Sequence, residues 1–557
     1  MQQRFNLIAL LSLCLCLGLA ESRTRPKALP ITKYVYTTGS SSHVESLLGT
    51  SRPSPEAYKT VRNAFAHYEE SRSLGYDLEL DSREVQANAT IMTAKINEYA
   101  EGEITPHLFN PSQHIFKVLD AINKTELFQL LRHMPKGAVL HAHDTALAST
   151  KVLIELTYKA DLWICQQTGD LSAEAMRFAK EKPAALTDAG QNCDWSLLSD
   201  VRRERGAEAV DEYLSERLTL YPTTDFLDNN DAWTKFMKIF ALLDGLLMYA
   251  PVWGEYYYKA LEEFLADGVQ YLEFRTLLPT LYDLEGTVYT PLDTVRIYVE
   301  TLNEFMSKSE NSAFIGSRMI YAPLRNTDTE GMLGYINTLK EIKEKYPDFL
   351  AGFDLVGQEE LGKPLNVFID QLLQVPDDID FYFHAGETNW FGSTTDENLI
   401  DALLLGTKRI GHGFGLVKHP VVLDLVKKLN VAIEVSPVSN QVLQLVSDFR
   451  NHPCAQFFAD GYPVVISSDD PSFWKATPLS HDFYIAFLGI ASQHADLRLL
   501  KKLALNSIQY SSLSADAKYD ALSKWQLKWD EFLDYVNNVS PNGATSYSSH
   551  GQSIIGT

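Results

Sequence analysis

Seven short β-rich runs recur along the second half of the chain: YLEFR at 271–275, FIGSRMIYAP at 314–323, FLAGFDLVG at 349–357, DFYFHAGE at 380–387, RIGHG at 409–413, VAIEVSP at 431–437 and PVVISSDDP at 463–471. Amphipathic helical stretches such as GMLGYINTLKEIKEKY separate them, and one more run, AVL in MPKGAVLHAHD at 134–144, precedes them and is the first of eight in chain order. Eight strands alternating with helices predict an α/β chain folded as a (β/α)8 TIM barrel, whose active site lies at the C-terminal ends of the strands.

The chemically capable residues fall at those ends. His141 and His143 end the first run, and two residues apart in a strand they point the same way. Alone, that pair is as compatible with chance polar residues at a strand end as with half a metal site. His384 and Glu387 end the fifth run, His412 the sixth, and Asp469 with Asp470 the eighth. A histidine that merely fills a core has no reason to keep this register. Imidazoles with a carboxylate suit a borderline-soft divalent ion, most simply one zinc per subunit, with a position left open for water.

The remainder of the chain frames this barrel, which is placed at 131–536. Residues 1–20 carry Arg4, then an apolar run and small residues at a cleavage-like position, the pattern of a secretory signal peptide. No later window approaches about 18 apolar residues, so no membrane span is expected. Residues 21–54 read as a flexible leader, and 537–557 as a flexible tail. Between them, 55–130 is helical, with Val85, Met92, Ile96 and Tyr99 near one face and Asp81 or Ser82 as the cap. That region is either a layer on the barrel's own core or an arm packed on a second subunit.

The segment from Thr145 to about Asn230 begins helical and becomes irregular and polar around Cys165 and Cys193, with an insert at about 160–225. In an oxidising compartment these two form the natural disulfide, leaving Cys454 alone and buried. Asn88, Asn123 and Asn538 stand in glycosylation sequons. The aromatic-rich run at 232–268 has helical spacing, which reads first as core. The formal net charge of −23 argues against nucleic acid as a partner without excluding a small neutral substrate.

MPKGAVLHAHD, FDLVGQE, FHAGETNW, RIGHGFGL, SNQVL, RNHP and ISSDDP together resemble the adenosine deaminase superfamily, and more narrowly its extracellular adenosine deaminase-related growth factor group. Asp144 directly after His143 favours that group. The resemblance runs from about residue 58 to 532. It implies zinc on His141, His143, His384 and Asp469; Glu387 as proton donor to the purine; and His412, the proton acceptor, with Asp470 holding and deprotonating the attacking water. It also implies substrate contacts from Asp144, Gly357 and Asp470, from Trp233, Lys235, Phe236, Ile239 and Phe240 in the segment 233–240, and from Trp390 near the pocket. That reverses the core reading for Trp233. One departure stands out: Leu324 occupies the place of a histidine near the ribose. The implied activity is hydrolytic deamination of adenosine and 2′-deoxyadenosine outside the cell, by a homodimer joined through 55–130.

Two other readings remain open. One assigns the barrel to an amidohydrolase for another purine, although AMP lacks an evident phosphate clamp here. Alternatively, the chain is a growth factor that binds a cell-surface receptor or glycan, with catalysis secondary. The H-x-E and P-C-x-x-C signature of polynucleotide deaminases is absent: Pro453-Cys454 has no second cysteine at the required spacing.

Overall fold

The structure is a computed structural model that describes residues 52, 54–166, 175–185 and 193–539. The segments read as signal peptide and, nearly all of it, as leader lie outside the described residues, as does the tail beyond 539. The chain divides at Ser71/Arg72 into two units. The first contributes the helix Pro55–Ser71, of which only Val61 is buried.

All eight expected strands form. They are β1 Gly137–Val139, β2 Val269–Thr276, β3 Gly316–Tyr321, β4 Leu350–Phe353, β5 in two pieces at Asp380–Phe381 and His384–Ala385, β6 Arg409–His412, β7 Ala432–Val435 and β8 Val464–Ile466. Each pairs in parallel with the next, from Ala138 opposite Tyr271 round to Val435 opposite Ile466. Past the regular ends of β8 and β1, Ala142 bridges Asp469, the His143 amide donates to the Asp469 carbonyl at 3.0 Å, and the Asp469 amide donates to the His141 carbonyl at 3.1 Å. These bonds form the seam between last strand and first.

Barrel interiors are usually filled by branched aliphatic side chains. Here the interior also buries charge. Arg409 bonds Glu273 and Glu434, while Arg275 bonds Asp354 and Glu434. All five are at most 1% exposed. Such charges are tolerable only when paired and hydrogen-bonded.

The helix Ser82–Ile104 begins with a capping box between Asp81 and Glu84. Its buried side carries Ala87, Ile91, Ala94 and Lys95; of the expected face, Met92 and Tyr99 pack half-buried on the core, whereas Val85 and Ile96 are 56% and 55% exposed. The reason is two charged residues turned inward. Lys95 donates to the carbonyls of Ser492 and Ala495 at 2.9 and 2.7 Å. Glu84 accepts from Lys501 at 2.6 Å and from the Trp529 indole at 2.8 Å.

The insert is more regular than its polarity suggested. Leu162–Gln166 is the centre of an antiparallel sheet with Ala175–Phe178 and Asp194–Leu197 on its flanks, followed by helices Leu198–Arg205 and Ala207–Arg217. The Cys165–Cys193 disulfide ties the middle strand to the segment leading into the third, with Cα atoms 5.2 Å apart, and Trp195 packs on it. Cys454 is free and buried. The sheet rests on helix Asn229–Leu247 at Gly245, where a Cβ would meet the Met176 carbonyl at 1.8 Å. Of the sequon asparagines, Asn123 and Asn538 are exposed, while half-buried Asn88 accepts from the Leu497 amide at 3.0 Å. Among the described residues, no helix is long and apolar enough to cross a membrane.

Candidate active site

The predicted residues converge at the C-terminal mouth of the barrel. Donor atoms of His141, His384, His412 and Asp469 lie within 4.8 Å of one another, as do those of His143, Asp469 and Asp470. The Asp469 carboxylate joins both groups, 3.0 Å from His143 Nε2 and 3.4 Å from His141 Nε2. Backbone geometry helps to aim them: His412 and Asp469 both adopt φ of 60°, in the left-handed region that non-glycine residues seldom occupy.

The imidazoles are held from behind. His141 Nδ1 bonds Glu434 at 2.8 Å and His384 Nδ1 bonds Asp354 at 2.6 Å, leaving each Nε2 for the donor cluster around Asp469. Arg275 joins the two supports, donating to Asp354 at 2.7 Å and to Glu434 at 2.8 Å. Carboxylates behind metal-binding histidines fix ring and tautomer in this way. Sequence reasoning missed this supporting layer. Its signal was present, in charged residues within the strands YLEFR and VAIEV, whose other residues are apolar.

Burial and neighbouring charge divide the acids. Burial would raise Asp469, but the imidazoles of His141, His143 and His412 around it hold it well below the usual carboxylate range. Burial, followed by the Asp469 charge, pushes Asp470 and Glu387 well above that range. Burial likewise lowers His384 to about 3 and raises Asp144, which accepts from the Tyr298 hydroxyl at 2.8 Å, to about 6.

Does this arrangement fit a metal? His141 Nε2, Glu387 Oε1 and Asp470 Oδ1 are buried without a hydrogen-bond partner. Orphaned buried polar atoms are costly, and their clustering beside imidazoles and a carboxylate is what a divalent-ion site with a bound reactant requires. The donor set fits.

A cavity of about 260 Å³ opens above these groups, lined among others by His143, Asp144, Trp233, Phe236, Phe240, Leu324, Gly357 and Glu387. Gly357 has φ of 98°, and a Cβ there would meet only Leu324, at 3.7 Å. Lys235 and Ile239 are placed elsewhere. They line a separate cavity between helix Asn229–Leu247 and the insert, and Lys235 pairs with Asp231 at 3.0 Å. Trp390 is 67% exposed and is not among the cavity-lining residues.

The Adenosine deaminase family model matches residues 197–526, and the Adenosine/AMP deaminase N-terminal model matches residues 10–131. An adenosine deaminase of Lutzomyia longipalpis is 50% identical over 486 residues, covering 86% of this chain and 94% of its own length. Human adenosine deaminase 2 is 40% identical over 473 residues, covering 84% and 91%. Among solved structures, an adenine deaminase of Arthrobacter aurescens superposes with a TM-score of 0.52 at 18% identity, covering 71% of this chain and 99% of that one. The N6-methyl-AMP deaminase of Arabidopsis thaliana gives the same score and identity, covering 72% and 99%. At that identity the structures speak for the fold alone, a parallel αβ barrel. By the matched family model and its close relatives, the chain belongs to the adenosine deaminase family.

Proposed function

We propose that this chain is an exported, zinc-dependent adenosine deaminase that converts adenosine and 2′-deoxyadenosine to their inosine counterparts and ammonia, lowering extracellular adenosine. The observation that carries this reading is Glu387. Its carboxyl is buried, held protonated by burial and by Asp469, and has one oxygen without a partner in the cavity that the metal-binding set faces. A neutral acid beside such a set is what activation of a purine ring nitrogen needs.

Bound on His141, His143, His384 and Asp469, zinc would lower the pKa of a water and supply positive charge as its oxygen becomes a nucleophile. The protein's own groups account for the protons. Glu387 gives its proton to N1 as the water oxygen bonds to C6, and the water's proton passes to the group formed by His412 and Asp470. The C6–N bond then breaks, the amino group takes that proton and leaves as ammonia, and the C6 hydroxyl proton restores Glu387. Trp233, Phe236 and Phe240 supply apolar and aromatic walls for a nucleoside, and Gly357 allows close approach of a ring. Leu324 makes the remaining wall apolar.

The test is the change in ultraviolet absorbance when the mature protein meets adenosine. Chelator-sensitive conversion to inosine is expected, and Glu387→Gln lowers kcat by about 10²–10⁴-fold with fold and metal content intact. A folded, zinc-loaded protein that leaves adenosine unchanged would refute the reading. Secretion and homodimer formation through 55–130 belong to the same proposal. They are supported by the resemblance and by the exposed apolar side chains of Val85, Ile96, Ile104 and Leu108 in that region. Recovery of processed protein from culture medium and light scattering of the full chain test them.

A further inference from the structure

SNQVL and RNHP belong to the motif set, yet the mechanism above gives neither a role. In the structure they meet behind His412. Cys454, the residue after the RNHP motif, donates its backbone N–H to His452 Nδ1 at 3.1 Å. A backbone N–H can only donate, so Nδ1 is bare and the hydrogen of the neutral ring sits on Nε2. That Nε2 lies 2.9 Å from Asn440 Oδ1, to which it donates. The amide's other end is thereby fixed as well: Asn440 Nδ2 faces His412 Nδ1 at 3.2 Å. An amide nitrogen also only donates, so His412 Nδ1 accepts and its ring hydrogen is carried by Nε2. The direction of every bond follows from one backbone N–H, and neither the amide nor the rings are free to be assigned the other way.

The relay is sealed from solvent. Asn440 is 0%, His412 2% and His452 3% exposed, and the Phe414 ring packs edge-on against His452 with centroids 5.4 Å apart. Burial lowers His452 to about 3, in keeping with a neutral ring. On the cavity side, His412 Nε2 lies 3.6 Å from Glu387 Oε1 and 3.8 Å from Asp469 Oδ2.

We infer that Asn440 and His452 are positioning residues that fix the tautomer of His412, so that its Nε2 enters the reaction as an N–H donor that holds the attacking oxygen. This deepens the deaminase reading and rests on it. It divides the work of the pair facing the water: His412 orients the oxygen, and the water's proton passes to Asp470, whose carboxylate form the positive charge of zinc held on neighbouring Asp469 would favour, and from there to the departing amine. It also sorts the donors around Asp469. A nitrogen that carries hydrogen offers no lone pair to an ion, which leaves His141, His143 and His384 as the imidazole ligands.

The experiment uses the full-length, zinc-loaded protein with Asn440→Asp, His452→Leu and His452→Gln. Asn440→Asp keeps the side-chain shape but puts an acceptor behind His412, drawing the hydrogen to Nδ1. The expected result is a kcat for adenosine lowered about 10²–10⁴-fold, with KM within about twofold of wild type and one metal per chain retained, the range expected for a wrongly set tautomer. If His412 is instead the base, a carboxylate behind it makes it a better one, and a kcat that holds or rises overturns the proposal. His452→Leu is expected to lower kcat about 10-fold, and His452→Gln, which restores a donor toward Asn440, to recover most of it. Equal activity of a folded His452→Leu protein overturns the assignment.

Neutron diffraction from deuterated crystals of the zinc-loaded protein reads the tautomer directly. Density for deuterium on His412 Nε2 supports the proposal, and on Nδ1 it overturns it. That readout needs no substrate, so it stands apart from a failure of the adenosine reading, which would appear as absent turnover in the wild type. Should Asn440→Asp fail to fold, the His452 pair and the neutron map decide.

Discussion

Arg275 stands between the carboxylates that support His141 and His384, and it is fully buried. Arg275→Met leaves Asp354 without its guanidinium and Glu434 with Arg409 alone, an uncompensated buried charge that costs about 3–5 kcal/mol. Urea unfolding should show that loss, and zinc content after dialysis should fall with it, because both histidines lose a fixed support. An unchanged unfolding midpoint would show that the ionic layer relaxes around the gap. Residues of this kind explain why the site was only half legible in the sequence. Ligands and acids announce themselves by type at strand ends, so His141, His143, His384, Glu387, His412, Asp469 and Asp470 could all be named. Their supports could not, since which strand faces which is decided by barrel closure. Arg275 and Glu434 meet in space from β2 and β7, far apart in the chain.

The helix Ser82–Ile104 makes the same point for an element. Its existence and cap were readable at Asp81, but its buried face was not, because Lys95 and Glu84 point inward. Lys95 offers a measurable consequence. Burial lowers its pKa to about 7, below the unfolded value of about 10.4. Between those values the unfolded chain binds one more proton than the folded one, so raising the pH favours folding. Stability should therefore rise by about 2 kcal/mol from pH 7 to pH 9 through this residue. Comparison with Lys95→Met, in which that increment is missing, isolates it; parallel pH profiles for the two proteins would refute the assignment. The barrel strands were legible because β-rich runs alternate with longer helical periods. The sheet in the insert was not, because its strands Ala175–Phe178 and Asp194–Leu197 span only four residues each, too few for alternation to stand out.

For the whole molecule, ion binding and folding are linked. An ion present at about 100 times its dissociation constant, bound by the folded chain alone, contributes about 2.7 kcal/mol. Removing it with a chelator should lower the thermal midpoint by about 2–4 °C, and added zinc should restore it. An identical midpoint with and without the ion would mean that the donor set does not bind it in the folded state. The seam between β8 and β1 extends this coupling to biosynthesis. His143 and Asp469 exchange backbone contact at the point where their side chains meet. During translation the histidines of β1 emerge early, whereas Asp469 and the strand that closes on them leave the ribosome near the end. A product cut short by a premature stop before residue 469 carries the imidazoles but neither the seam nor the carboxylate. Ion content therefore reports whether synthesis ran at least as far as the carboxylate that completes the site.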